Sequence, residues 1–197
     1  MKRTFFILAT LLLTMTLSAQ EHLNFIDLPI DGPLNKFVEE LTLRGIAPVR
    51  NVDDNIVMLQ SIVNGQPIDY LAVASEDAQH VYRVVVLTQP KMNWRWIRKE
   101  YLYYKKHLTE IYGEPTKYVE TFMAPYNTKK ALRRHQLPAI IEGKAQWATF
   151  FTVKNDAEEE TGSVMVQITP SGSLARVIIV YEDAANAALY DPKNTEN

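Results

Sequence analysis

The chain has 197 residues, with 21 Lys and Arg against 23 Asp and Glu, a formal net charge of −2 and no cysteine. The missing cysteine excludes disulfides, thiolate metal sites, cysteine nucleophiles and a lipidated N-terminal cysteine. A mildly acidic balance suits nucleic acid poorly as a partner, and the length suits one compact domain.

Met1-Lys2-Arg3 is a short basic segment, residues 4–17 are apolar or hydroxylic throughout, and Leu17-Ser18-Ala19-Gln20 offers a small residue before a cut after Ala19. This is the three-part pattern of a secretory signal, and its apolar run falls short of the roughly 20 residues needed to span a bilayer. The expectation is a signal peptide over 1–19, a single globular domain over 20–190 and a frayed polar tail over 191–197. The protein is then exported to the periplasm or the extracellular space, with no transmembrane segment after signal removal. Without Lys2 and Arg3, 19 basic residues remain against 23 acidic ones.

Residues 25–30 read as an extended lead-in. Asp31-Gly32-Pro33 then opens a helix, with Asp31 as its cap and Pro33 in its first turn. Leu34, Phe37, Val38 and Leu41 recur at helical spacing, and Gly45 ends the run. Four strands follow over 47–53, 56–63, 68–75 and 80–88. Asp53-Asp54-Asn55, Asn64-Gly65 and Glu76-Asp77 separate them. Asn64-Gly65 is the strongest hairpin signal, because both residues tolerate positive φ. Short links make these strands antiparallel neighbours.

Residues 93–112 form the longest helix. Trp94, Ile97, Tyr101, Tyr104, Leu108 and Ile111 share one stripe, which faces the core. Gly113 closes the helix and Pro115 blocks its continuation. A strand over 117–123, a short basic helix over 127–135 and a weakly patterned connection to Lys144 come next. Strands over 146–153, 162–169 and 174–182 and a short helix over 184–190 complete the chain.

This order predicts an α+β fold: antiparallel sheet with two main helices packed on one face, in two similar α-β-β-β-β halves over 24–88 and 93–183. The expected core holds Phe37, Leu41, Ile97, Tyr101, Tyr104, Leu108, Phe151, Val166, Ile178 and Val180. The last strands are apolar at alternate positions too, which points to central strands covered on both faces, at least locally.

Phe25-x-x-x-Pro29-Ile30-Asp31-Gly32-x-Leu34-x-x-Phe37 resembles the opening of an exported, uncharacterised family of gut anaerobes. In that family a Trp-led helix ends in Tyr-Gly-x-Pro, as Trp94 through Tyr112-Gly113-Glu114-Pro115 does here. Its closing Val-x-Tyr-x-Asp is similar to Val180-Tyr181-Glu182-Asp183, with a departure in spacing. The helix-plus-meander order also resembles tandem β-lactamase-inhibitor-like modules, a resemblance of topology alone.

No close metal pair links His22, His80, His107 and His135. Neither Gly-x-Ser-x-Gly, Ser-x-x-Lys nor a Gly-rich phosphate loop occurs. The reading is therefore no catalytic residues, no metal and no cofactor. Glu39-Glu40 and the run Asp156 to Glu160 read as solvated acidic patches. Two features stand out as a contact surface. Trp96, Lys99, Tyr103, Lys106 and Glu110 form a second row on the long helix, opposite its buried stripe. Aromatics placed there either meet a partner or lie under the segment 124–143. Lys129, Lys130, Arg133, Arg134 and His135 form a basic patch for an anionic lipid, glycan or acidic protein, or pair with the chain's own acidic tip. The leading expectation is a non-enzymatic binding or protein-interaction module, its partner an envelope protein or glycan. The alternatives are a hydrolase using dispersed carboxylates and an inhibitor of a hydrolase.

Overall fold

The computed structural model describes residues 21–190; the expected signal peptide and the tail lie outside the described residues. Two short strands, β1 (Asn24–Phe25) and β2 (Leu28–Pro29), pair as a hairpin where an extended lead-in was expected. Then come α1 (Leu34–Leu43), β3 (Ala47–Asp53), β4 (Ile56–Val63), β5 (Gln66–Ala74), β6 (Val81–Leu87) and α2 (Trp94–Tyr112). The rest is β7 (Lys117–Phe122), α3 (Ala131–Arg134), α4 (Gln136–Ile141), β8 (Ala145–Lys154), β9 (Glu160–Ser171), β10 (Leu174–Asp183) and α5 (Ala184–Leu189).

The fold class is as expected, α+β with antiparallel sheet. The large strands form one eight-stranded sheet in the order β3-β4-β5-β6-β10-β9-β8-β7. Each run of four is a meander, and the two meanders join through their last strands. Local chemistry accounts for the punctuation. Asn64 and Gly65 both take positive φ, 51° and 74°, at the β4–β5 turn. Asn93 caps α2 by accepting the Arg95 backbone N–H at 2.8 Å, and Gly113, at φ 81°, ends it.

The helices close over one side of the sheet. α1 packs on β3 and β5, while α2 and α4 pack on β8, β9 and β10. Phe37, Leu41, Ile97, Tyr101, Leu108, Phe151 and Val166 are buried there, and Tyr104 is half-buried against them. The β1–β2 hairpin adds Leu23 and Phe25, the latter edge-on to Tyr70 and Tyr181. No helix among the described residues is long and apolar enough to cross a membrane.

Four local expectations are corrected. Asp31 does not cap α1; Pro33 holds that position with no side-chain bond, and Asp31 instead accepts from Asn186 Nδ2 at 2.9 Å. The basic helix is only four residues long, and the supposed connection after it contains α4, whose Ala139 and Ile140 are buried. Ile111, assigned to the buried stripe of α2, is 55 % exposed; in that last turn it is Tyr112 that packs on the core, against Phe151. Ile178 and Val180 are not in the core: they alternate with the buried Val177 and Ile179 and so point to the other face.

Candidate functional site

The expected contact stripe on α2 is open. Trp96 is 56 % and Tyr103 64 % exposed, so the segment 124–143 does not cover them. Lys99 Nζ lies 5.5 Å from the Trp96 ring centroid, and the Tyr103 ring stacks on His107 at 6.3 Å and 11°. Lys106 pairs with Glu110 at 3.6 Å. Lys129, Lys130, Arg133 and Arg134 are exposed as well. Lys129 and Lys130 lead into α3, which carries Arg133 and Arg134 and adjoins α4; α4 packs on the same strands as α2, so the basic segment and the aromatic stripe lie on the helix side of the sheet.

The other side of the sheet carries a feature that sequence reasoning missed. Register places Met58 beside Leu71, Leu71 beside Val85, Val85 beside Val180, Val180 beside Met165, and Met165 beside Phe150. These six apolar residues form one row across six strands, about 24 Å wide at the usual strand spacing. Leu87 and Ile178 widen its centre. Each row residue is half-buried, and none belongs to the core that the helices close over. Along this row the central strands are therefore not covered on both faces; among the described residues no helix covers the row, and only α5 meets this side, at one end. Cations stand at both ends, Arg50 opposite Met58 and Lys117 opposite Phe150.

One end of the open face meets α5. There Arg83 Nε bonds Glu182 Oε2 at 2.7 Å, and its Nη2 contacts the same oxygen. These two residues, with Glu160, Ser163, Ala184, Ala187 and Tyr190, line a cleft of about 470 Å³. Two carboxylates thus reach one cleft, but Glu182 is already engaged by a guanidinium.

A polar knot ties the N-terminal arm to the fold. Asp183 is fully buried; its Oδ2 accepts the Leu23 N–H at 2.8 Å and its Oδ1 the Asn186 N–H at 2.9 Å. His22 sits between two carboxylates, with Nδ1 3.2 Å from Asp183 Oδ1 and Nε2 3.5 Å from Asp31 Oδ2. Burial works against the Asp31 carboxylate, but bonds from Asn186 and the Gly32 N–H and the nearby His22 and His80 hold its pKa below the usual range. The hydrogen bonds of the knot tie the chain to itself, and His22 Nδ1 is buried beside Asp183 without one.

No protein-family model, curated protein or solved structure matches the chain.

Proposed function

We propose that this is an exported, non-enzymatic binding protein of the periplasm or cell surface, which engages a protein partner through the open face of its sheet. The observation behind this reading is the row from Met58 to Phe150. Six aligned aliphatic, thioether and aromatic side chains facing solvent form a patch of the kind that marks contact sites on soluble proteins. An apolar centre with a charged rim is also the anatomy of a protein–protein interface. Export rests on the basic, apolar and small-residue pattern of residues 1–20.

The end charges select the partner. A second copy stacked face to face would bring Arg50 or Lys117 against another cation. A partner with an apolar strip bordered by carboxylates satisfies both ends. The α2 stripe faces the opposite way and is separate from this row.

A photo-crosslinking residue at Val180 or at Leu87, introduced in the producing cell, tests the reading. Both positions should capture the same protein, and a control at Lys36 on exposed α1 should not. Once purified, that protein should lose affinity for Val85→Lys and for Arg50→Glu/Lys117→Glu. Failure of the row positions to crosslink, or full affinity of the charge-reversed variant, discards the proposal.

A further inference from the structure

We propose that the helix side of this protein docks on an anionic lipid surface through α2 and the α3 segment. The inference is independent of the sheet-face partner, which uses the opposite side.

The first support is charge placement. The chain is acidic overall, yet residues 91–106 hold six Lys and Arg against one carboxylate, Glu100. Residues 129–134 add four more cations, and no acidic residue occurs between Thr121 and Ile141. Ten of the 21 basic residues therefore fall in two short segments. Three of these ten are paired, Lys91 with Glu100 at 2.7 Å, Lys105 with Glu120 at 2.6 Å and Lys106 with Glu110 at 3.6 Å, which leaves no carboxylate of these pairs for the rest. Among the described residues, Arg95, Lys99 and the four basic residues of 129–134 form no ion pair. An unneutralised cationic zone on an acidic protein complements an anionic surface.

The second support is what stands among the cations. Trp96 and Tyr103 stand exposed on one face of α2, and Met92, 78 % exposed, lies just before the helix begins. Trp96 and Tyr103 are seven residues apart, about 10.5 Å along the axis and on the same face. Trp and Tyr are the residues whose rings settle at headgroup depth, and long basic side chains beside them reach phosphates. A soluble acidic polymer accounts for the cations but leaves the exposed Met92, Trp96 and Tyr103 unused. A lipid interface uses both.

Tryptophan also supplies the readout. Trp147 is buried and Trp94 half-buried against it, so Trp96 alone should change environment on docking. The protein is isolated from its producing cells, and mass spectrometry confirms the same N-terminus in every variant. It is then sedimented with vesicles of phosphatidylcholine alone and of phosphatidylcholine mixed with phosphatidylglycerol. The expected result is sedimentation with the mixed vesicles only, weakened by salt, with a blue shift of emission that Trp96→Phe removes. Lys129→Glu/Lys130→Glu/Arg133→Glu/Arg134→Glu should lower the partition about a thousandfold or more, and Trp96→Ala/Tyr103→Ala should lower it while leaving the salt dependence in place. The proposal is overturned by sedimentation that ignores phosphatidylglycerol, by full binding of the charge-reversed variant, or by retention on alginate without retention on vesicles, which reassigns the surface to an acidic polysaccharide.

Discussion

Val85 and Val180 stand directly opposite each other across the β6–β10 ladder, with their side chains on the face that the helices leave open. This pair is the midpoint of the apolar row and also the seam where the two meanders meet.

Neighbouring residues of β10 should report the two faces separately. Ile179 is 3 % exposed within the core, and Ile178 is half-buried on the open face. Ile179→Ala should cost about 3 kcal/mol and Ile178→Ala less than about half of that, read as shifts of the denaturant midpoint at constant slope. Equal losses would mean that both faces are covered.

Asp183→Ala should cost about 2–4 kcal/mol, because it orphans the buried N–H groups of Leu23 and Asn186 and uncaps α5. Hydrogen exchange at those two amides should rise well before global unfolding. Unchanged protection would show that other groups hold the N-terminal arm.

Gly162→Ala should be among the most damaging single-methyl changes in the chain. An added Cβ would fall 2.4 Å from the Glu182 carbonyl oxygen and 3.0 Å from the Leu23 side chain. Either β10 or the arm must move, at a cost of about 2 kcal/mol or more by the scale of overpacked cores. Thermal unfolding of the variant reads the loss; an unchanged midpoint would show that the arm and β10 yield freely.

At high pH the buried tyrosines set the limit of stability. Burial, reinforced by Glu100, pushes Tyr104 up to about 12, and burial likewise raises Tyr101 and Tyr181. In the unfolded chain these phenols ionise near 10, so the unfolded state loses protons first. The contribution is complete below pH 10 and drains away as pH climbs toward the folded-state values. Tyrosinate absorbance should therefore rise together with loss of secondary structure. Ionisation of all ten tyrosines near pH 10 in a folded protein would refute the packing.

At low pH the sign reverses. The Asp31 carboxylate has a folded pKa below its usual 3.8, so its contribution is present above that value and is lost as pH falls below it. Asp31→Asn should flatten the acid limb of the stability curve, as followed by circular dichroism against pH.

Much of the architecture was readable along the chain. Turn residues such as Asn64-Gly65 and the helix stops Gly45 and Gly113 act locally, so they mark element ends without any knowledge of the fold. Trp96 and Tyr103 were readable as an outer row because helical spacing is local too. The α4 helix was not, since six residues with Pro138 inside give too little periodicity. The open face was misread for a deeper reason. Ile178 and Val180 are as apolar as the buried Val177 and Ile179, and alternation of apolar with apolar cannot say which side is covered. The row itself joins residues 58, 71, 85, 180, 165 and 150, and only register brings them into line. Asp31 looked like a cap because its true partner, Asn186, lies at the far end of the chain.

The strand order carries a consequence for synthesis. The β6–β10 ladder couples residues 83–87 to residues 178–182, so the sheet can close at its centre only when almost the whole chain is available. Until then β6 presents a bare, greasy edge, the template on which chains pair wrongly with one another. A ribosome-bound or C-terminally shortened chain should therefore need a holding chaperone, and release of β10 is the event that makes it self-sufficient.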